Sequence, residues 1–487
     1  PIPDRAVSTL HSQGIRQQDR PDVLTAEMVE DHWNKKWPWL EVSLSEFNRS
    51  GQKLDPDYCD DLDYRQHNTE GDRLREEMEL SRHGLYEPEP EVAKFRDMWN
   101  EFKAGRNAID FTDMVEGASE ASPMGAKFII VDEAQDMSPL EVRVIRNWAK
   151  DNVLFTTGDP RQALYVWRGA DPMWLVVNDG SHRRVLSKSY RLPRQIKDVS
   201  ENWVHRMGDW TRYDYEPRAD EGVVAKCWGT ISDPSEVIQR AGEVVKSGRT
   251  AMIVATCGYH LRDAIRELRA SALPFANPWR IKNGAWNPLA PRRGTSMSDR
   301  LVALQTPVHS GQVWTADQVY QWVEPLRAEG LMIRGAKSAI QARAGELGSR
   351  RVTFEDLAAW FKPIALSQLW TAAMDNRDGG GLVSWWTSNI LRSRQAQAVY
   401  PARVYQSRGL DALSRRPQLF IGTAHSFKGA EPDAVFLFPD LSPSAYRGWE
   451  TRGSKGWDAV VRTMYVGMTR AKQELYLCDG HSNYVDW

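Results

Sequence analysis

Two short apolar runs dominate the pattern of hydrophobic and polar positions in residues 127–170. The first, Phe128 to Val131, is unbroken, which predicts a strand buried on both faces of a parallel sheet. It stops at two acidic residues, Asp132 and Glu133. The second run is Val153 to Thr156 and also ends in polar residues. Because ligands bind at the carboxyl ends of strands in open α/β sheets, we expect the two acids to face a ligand.

A helix is predicted directly after the first run. Ser138 at the N-cap, Pro139 at the first helical position and Glu141 three residues after the cap form a capping box. Apolar side chains then recur at helical spacing, which predicts a side facing the core. These side chains are Leu140, Val144, Ile145 and Trp148.

Strand and helix patterns alternate in two parts of the chain, whereas two other parts have helical periodicity alone. This organisation predicts an α/β fold with two parallel-sheet domains, each interrupted by a mainly helical insertion. The first domain would comprise residues 1–16 and 108–212, its insertion 17–107, the second domain 213–299 and 411–487, and its insertion 300–410.

Local patterns make more specific predictions. Residues 184–192 favour a strand that passes into a helix over residues 194–207, because proline at position 193 keeps its predecessor out of helical angles. Within the second insertion, apolar spacing predicts helices over residues 315–329, 336–345 and 353–361 and no strand.

Composition narrows the function classes. The 487 residues have a net charge of −2, which excludes a globally basic nucleic-acid binder, although 63 lysines and arginines can still form a local basic groove. The four cysteines are scattered without C-x-x-C spacing, which favours a reducing compartment over a zinc or iron–sulfur site. No apolar run has membrane-spanning length and no signal peptide is visible, so we expect a cytoplasmic protein with no membrane partner.

Six motifs in a fixed order resemble the UvrD/Rep/PcrA family of superfamily 1 DNA helicases. They are Thr9-Leu-His11, Asp132-Glu-Ala-Gln-Asp136, Gly158-Asp-Pro-Arg-Gln162 with Trp167-Arg-Gly-Ala170, Ser189-Tyr-Arg-Leu192, Gly422-Thr-Ala-His-Ser-Phe-Lys-Gly-Ala-Glu431 and Tyr465-Val-Gly-Met-Thr-Arg-Ala471. The resemblance implies two RecA-like domains with ATP and Mg²⁺ bound between them. It also implies single-stranded DNA across their top and 3′-to-5′ translocation, in DNA repair or replication.

The resemblance further implies a role for each matched residue. Asp132 would hold Mg²⁺ through water, Glu133 would activate the attacking water, and Gln162 would sense the γ-phosphate, which Arg191 and Arg470 would contact. The nucleotide would be bound by Tyr190, Gly429 and Glu431, with Tyr190 on the adenine and Glu431 on the ribose. Single-stranded DNA, or its junction with duplex, would face Thr9, His11, Tyr165, Trp167, Arg168, Thr423 and His425. Accessory repair or replication proteins are the implied protein partners.

These roles are physically reasonable, and each residue also has a simpler explanation when taken alone. Arginines suit planar phosphate recognition, and an arginine from the other domain makes phosphate contact depend on closure of the cleft. However, an Asp-Glu pair after a strand is more often a solvated strand end. Similarly, Trp167 alone favours a core residue and Arg470 alone a surface arginine.

One element of the family pattern is missing from the sequence. A phosphate loop, G-x-x-x-x-G-K-[ST], holds the β- and γ-phosphates, and no Gly-Lys-Thr or Gly-Lys-Ser occurs here. The nearest match, residues 247–250, is interpreted as a turn. In the family the loop lies upstream of the segment that matches Thr9 to His11, so it would fall before Pro1. We therefore interpret the first domain as N-terminally truncated and expect this chain alone to be inactive as an ATPase.

Two alternatives remain open. The chain would be an ATPase-dead single-stranded DNA-binding or scaffold remnant if the phosphate loop is truly lost. It would be a motor subunit of a larger recombination complex if it works only with partner subunits. The leading hypothesis is an ATP-dependent 3′-to-5′ DNA helicase as the complete protein.

Overall fold

The computed structural model describes most of the chain and shows a mixed α/β protein. No helix in the described part is both long and apolar enough to span a bilayer. Two residues predicted to face DNA, Thr9 and His11, lie outside the described residues. The described residues are 10, 21–43, 69–120, 127–176, 182–208, 213–278, 284–290, 294–310, 313–374 and 380–487.

The described residues of 21–120 are mainly helical and have an aromatic core of their own. Trp33 packs edge-on against Phe95 and Trp99, with ring centroids 5.3 and 4.8 Å away. The indole N–H of Trp33 donates to the Leu40 carbonyl at 2.7 Å, so the buried ring leaves no polar atom unsatisfied. The elements are β1 (Asp22–Val23), α1 (Ala26–Met28), α2 (Asn34–Lys36), α3 (Glu70–Gly84), α4 (Pro90–Ala104), β2 (Ala108–Ile109) and α5 (Phe111–Glu120), with β1 parallel to β2.

A cluster of ion pairs joins helices α3, α4 and α5. Arg82 reaches Asp113 at 2.6 Å and Asp110 at 3.1 Å, and Lys103 reaches Asp110 at 2.6 Å. Burial acts to raise the pKa of Asp110, but Arg82 and Lys103 outweigh burial and hold that pKa well below its usual range. The charged form of Asp110 therefore stabilises this part of the fold.

Strands β3 (Phe128–Val131) and β4 (Val153–Thr156) form a two-stranded parallel sheet. The prediction that β3 is buried on both faces is wrong, because Phe128 and Ile130 are 62% and 73% exposed. Helix α6 (Pro139–Trp148) packs with the side chains that point to the other face, and no described residue covers the exposed one. The first RecA-like domain therefore stays a prediction.

The segments around this sheet confirm one local prediction and correct another. The capping box predicted at residues 138–141 is present at the start of α6. The strand predicted over residues 184–192 is wrong, because its only ladder contact in the described chain is a parallel bridge between Lys188 and Glu216. Helix α7 (Arg194–Val204) begins directly after Pro193, as predicted, and is shorter than expected.

The chain next forms strand and helix pairs that supply three strands of a larger sheet, including both of its edges. Strand β6 is buried along its whole length, which is typical of the centre of a parallel sheet covered on both faces. The elements are β5 (Val223–Cys227), α8 (Ser235–Lys246), β6 (Ala251–Ala255), α9 (Arg262–Ala270) and β7 (Phe275–Ala276).

The second helical part lies within residues 297–414 and differs in detail from the prediction. The helix predicted over residues 315–329 ends at Val323, because Pro325 cannot continue it. The helix predicted over 353–361 is a single 3₁₀ turn, because Pro363 starts a new helix. The elements are α10 (Met297–Ser310), β8 (Trp314–Thr315), α11 (Ala316–Val323), α12 (Ala336–Leu347), β9 (Arg351–Val352), α13 (Pro363–Met374), α14 (Gly380–Asn389), α15 (Gln395–Arg408) and α16 (Asp411–Ser414), with β8 antiparallel to β9.

The last part of the chain returns to the large sheet and completes it. The sheet has six strands in the order β5-β12-β11-β6-β10-β7, and every neighbouring pair is parallel. The predicted α/β class with a parallel sheet is confirmed. The remaining elements are β10 (Leu419–Thr423), β11 (Ala434–Leu437), α17 (Pro443–Glu450), α18 (Lys455–Met468) and β12 (Glu474–Cys478).

Candidate functional site

A cleft between two lobes brings most of the predicted site residues together. We define the first lobe as residues 127–176, and the second lobe as residues 182–208 and 213–278 with 419–487, because the residues of α7 share one apolar core with the large sheet and α18. The first lobe supplies the polar residues that follow β3 and β4. The second supplies the loop after β10 and the C-terminal end of α18. Contacts between residues about 300 positions apart close the cleft: Arg470 with Gln162 and Lys428 with Glu133.

Asp132 and Glu133 lie exposed at the tip of β3. The Thr157 hydroxyl donates to Asp132 Oδ1 at 2.6 Å, which ties the ends of β3 and β4 together. The backbone N–H of Glu133 donates to the same oxygen at 3.0 Å. Glu133 has a φ of +54°, in the left-handed region that non-glycine residues rarely adopt. Such strain persists where the surroundings impose it, and it concentrates at functional sites.

Gln135 was not predicted as a site residue, yet it organises the floor of the cleft. Its side chain is completely buried; Nε2 donates to Glu133 Oε2, and Oε1 accepts the backbone N–H of Asp159 at 3.0 Å. A Cβ at Gly158 would lie 2.4 Å from Gln135 Oε1, so only glycine fits there. Gln135 thus fixes the tips of both strands relative to each other, which its place in the Asp132–Asp136 motif indicated only indirectly.

Gln162 and Arg470 meet across the cleft. Arg470 Nη2 donates to Gln162 Oε1 at 2.6 Å, and Gln162 Nε2 donates to Asp159 Oδ2 at 2.8 Å. Arg470 is 2% exposed; burial, aided by the positive charge of Arg191, lowers its pKa to about 10. The guanidinium therefore stays protonated at neutral pH, and a buried positive charge faces the polar residues of the first lobe.

Arg191 and Glu431 form an ion pair at the edge of the cleft, on the side of the second lobe. Arg191 Nε donates to Glu431 Oε1 at 2.7 Å, and Nη1 donates to the Thr469 carbonyl at 3.4 Å. Tyr190, beside Arg191, is 81% exposed, so its ring is open to a stacking partner. Gly429 has a φ of +87°, which favours glycine at this turn. The predicted nucleotide-binding residues therefore lie around one edge of the cleft.

Lys428 is a cleft residue that the sequence prediction missed. Its Nζ lies 2.9 Å from Glu133 Oε2 and also forms an ion pair with Asp136. Burial raises the pKa of Asp136, and Lys428 opposes that effect. The sequence signal that could have identified Lys428 is its position within the Gly422–Glu431 motif.

An aromatic group lies next to these acids. The ring of Tyr165 lies 6.3 Å from that of Trp167 and 5.9 Å, edge-on, from that of His425. His425 Nε2 lies 3.3 Å from the carbonyl oxygen of Leu164. Arg168 is exposed beside them. The structure thus brings together four of the residues predicted to face DNA.

Thr423 occupies a different environment from this group. It is 2% exposed, and its hydroxyl accepts the backbone N–H of Ser426 at 3.3 Å within the turn after β10. In this arrangement Thr423 shapes the loop that carries His425. A direct contact of Thr423 with DNA stays a prediction.

A cavity of about 350 Å³ opens where Trp167 and Arg168 meet the N-terminal helical part. His83 from α3 joins the two parts, because its ring lies 3.1 Å from the Ser138 hydroxyl and 3.3 Å from that of Thr112. Further lining residues include Arg75, Glu79, Leu80 and Trp99. The aromatic and charged lining suits a flat, polar group such as a nucleobase.

The donor set at the cleft fits a hydrated magnesium ion and a nucleotide phosphate. Mg²⁺ keeps several water ligands and needs only one or two protein oxygens besides the phosphates, which Asp132 and Thr157 offer at an exposed position. Arg191 and Arg470 supply fixed positive charge from the opposite side. Within the described chain, no group of three or more His, Cys, Asp or Glu side chains is arranged to hold a metal by itself.

Comparison with known proteins gives one family-model match and several partial matches to individual proteins. A family model described as the UvrD/REP helicase N-terminal domain matches residues 72–180. A "Probable DNA helicase II homolog" of Mycoplasma capricolum subsp. capricolum is 28% identical over 154 residues, which is 30% of this chain and 20% of that protein. An ATP-dependent helicase/nuclease of Latilactobacillus sakei subsp. sakei is 31% identical over 129 residues, 22% of this chain and 14% of that protein.

One relative aligns over most of the chain. A "Probable DNA helicase II homolog" of Rickettsia conorii is 23% identical over 420 residues, which is 74% of this chain and 61% of that protein. The chain therefore spans from about a seventh to three fifths of the length of these three curated relatives.

Proposed function

We propose that this chain, which is related to the UvrD-like DNA helicases, is the ATP-driven motor region of a helicase that moves 3′ to 5′ along single-stranded DNA. The pathway we propose is DNA repair or replication, in the cytoplasm. The substrates would be single-stranded DNA and its junctions with duplex, and accessory repair or replication proteins would be the partners.

The observation that carries this proposal is the hydrogen bond of 2.6 Å between Arg470 and Gln162. It places a buried arginine of the second lobe against the polar strand ends of the first. A phosphate bound between them would contact both lobes at once, and its hydrolysis would change the contact. Cleft closure and opening of this kind converts phosphoryl transfer into motion.

The side chains of the cleft divide the chemistry between them. Asp132 and Thr157 would hold a hydrated Mg²⁺, which supplies neutralisation of the phosphate charge. Glu133 would orient and deprotonate the attacking water, since its carboxylate lies exposed at the strand tip. Arg191 and Arg470 would stabilise the charge that develops on the γ-phosphate, and Glu431 would bind the ribose.

The aromatic group would bind the DNA strand. Tyr165, Trp167 and His425 offer stacking surfaces that do not depend on base identity, each worth about 1–3 kcal/mol per base. Arg168 would contribute charge, because it is exposed beside them. Burial raises the pKa of the Tyr165 hydroxyl, and the charge of Asp136, which accepts the backbone N–H of the adjacent Leu164, raises it further; this supports coupling between DNA and the cleft.

The test restores a phosphate loop, G-x-x-x-x-G-K-[ST], upstream of Pro1 and then measures ATP hydrolysis with and without oligo-thymidine, and unwinding of a 3′-tailed duplex. We expect stimulation by single-stranded DNA, and we expect Glu133→Gln to reduce turnover by a factor of about 100 or more, since a positioned base contributes that much. Nucleotide binding should survive Glu133→Gln. Glu101→Gln, an exposed position on α4, is the matched control and should leave turnover unchanged.

A second candidate function is favoured by one feature of the sequence. The 487 residues contain no G-x-x-x-x-G-K-[ST] segment, as an ATPase-dead single-stranded DNA-binding or scaffold protein would. That protein would bind oligo-thymidine and show neither ATP binding nor hydrolysis. A motor subunit of a larger complex would instead hydrolyse ATP and unwind duplex only after its partner subunits are added.

A further inference from the structure

We propose that Lys428 is a positioning residue that restrains Glu133 when the cleft holds no nucleotide, and that DNA binding releases this restraint. The proposal rests on the proposed function, because it assigns Glu133 to water activation and the loop after β10 to DNA contact. It adds a residue that neither the motif roles nor the comparisons assign.

The first step is the geometry of the restraint. Lys428 Nζ lies 2.9 Å from Glu133 Oε2, and the same oxygen accepts a hydrogen bond from Gln135 Nε2. A carboxylate oxygen that already accepts two N–H groups has little capacity left to accept a proton from water. Oε2 is occupied in this arrangement, so the carboxylate of Glu133 is held in one orientation and acts on a water molecule only through Oε1.

The second step is that Lys428 belongs to the opposite lobe. Its side chain is only 11% exposed and also pairs with Asp136, so two carboxylates of the first lobe share one ammonium group of the second. Removing one partner of a largely buried ion pair costs far more than removing an exposed one. Lys428 is therefore a substantial part of what keeps the lobes together.

The third step connects Lys428 to the DNA-facing group. The carboxylate of Asp136 accepts the backbone N–H of Leu164 at 3.1 Å, and the carbonyl of Leu164 lies 3.3 Å from His425 Nε2. His425 and Lys428 lie on the same loop, which continues to Glu431. A base that stacks on Tyr165 displaces the edge-on contact with His425 and so moves the loop. Motion of that loop carries Lys428 away from Glu133.

The first experiment needs neither ATP nor DNA. Nitroxide labels at Arg143→Cys on α6 and Lys246→Cys on α8, both exposed positions, report the distance between the lobes by double electron–electron resonance, in a Cys59→Ser background. We expect Lys428→Met to lengthen and broaden this distance and Lys428→Arg to restore it. Lys35→Met is the matched control, because Lys35 pairs with Asp31 at 2.8 Å within one exposed segment.

The second experiment measures ATP hydrolysis by the same variants in the protein with the restored upstream phosphate loop. We expect Lys428→Met to raise the rate without DNA about tenfold, equivalent to about 1.4 kcal/mol, and to reduce the stimulation by oligo-thymidine. A residue needed only for folding would instead lower both rates. The inference is overturned if Lys428→Met leaves the distance unchanged, or if the DNA-free rate stays the same or falls. Absence of DNA-stimulated hydrolysis in the protein with the restored phosphate loop and an unchanged Lys428 would refute the proposed function, and the distances would still decide whether Lys428 holds the lobes.

Discussion

Replacement of Arg161 by methionine tests how the turn that carries Gln162 is held. Arg161 is completely buried, and its guanidinium pairs with Glu201 of α7 at 2.6 Å. It also donates to the Tyr213 carbonyl at 2.8 Å and lies over the Tyr213 ring at 3.8 Å. Methionine fills much of the same volume and removes the charge, so Glu201 is left nearly buried without this partner.

The expected loss in the free energy of unfolding follows from the burial of the ion pair. Breaking a buried ion pair by removing one partner costs about 3–5 kcal/mol, because the remaining charge is desolvated and uncompensated. Arg415 provides the matched control: it pairs with Asp411 at a similar 2.8 Å, but the two side chains are 79% and 78% exposed. For such a pair the expected cost is about 0–0.5 kcal/mol. Both substitutions remove an arginine–carboxylate ion pair, and Arg161→Met also removes the hydrogen bond to the Tyr213 carbonyl and the contact with the Tyr213 ring.

Urea unfolding followed by tryptophan fluorescence measures both variants. Arg161→Met should shift the unfolding midpoint strongly to lower urea, and Arg415→Met should leave it almost unchanged. The double variant Arg161→Met/Glu201→Met should recover more than half of the loss, because a buried pair replaced by apolar side chains leaves no charge unpaired. Equal shifts for the two single variants, or no recovery in the double variant, would refute the argument from burial.

Two further predictions concern glycine and pH. Gly158→Ala should lower the free energy of unfolding by about 1–3 kcal/mol and loosen Gln135, because the new methyl group has no space. The control is Gly345→Ala, in helix α12 with nothing within 4 Å of the new methyl group, which should raise the melting temperature slightly. Asp110→Asn should lower stability at pH 7. The folded-state pKa of Asp110 lies below the ordinary 3.8 because Arg82 outweighs burial, so its stabilisation is present above that value and is lost as pH falls through the lowered pKa. Thermal melts should therefore show a constant difference between the variant and the unmodified protein above about pH 4, and a difference that shrinks steadily as the pH is lowered further; a difference that stays constant below about pH 3 would contradict this.

Local signals in the sequence predicted helices and strands well where neighbouring residues determine them. The capping box before α6 and the apolar runs of β3 and β4 depend on neighbours within a few residues. The error at β3 has a different origin, because burial depends on what lies above the sheet. An apolar run looks the same whether one face or both are covered, and Phe128 and Ile130 point to the face that no described residue covers.

The same distinction between local and distant causes explains what was predicted of the site. The order of the motifs identified Gln162 and Arg470 as candidate site residues, and the structure places them in contact. The contacts of Lys428 depend instead on how the two lobes meet: its partners Glu133 and Asp136 lie nearly 300 residues away, and a lysine in a loop is by default solvated. Residues that join two lobes act through a relative position that no short stretch of sequence encodes. The restraint on Glu133 therefore had to be found from the geometry of the cleft.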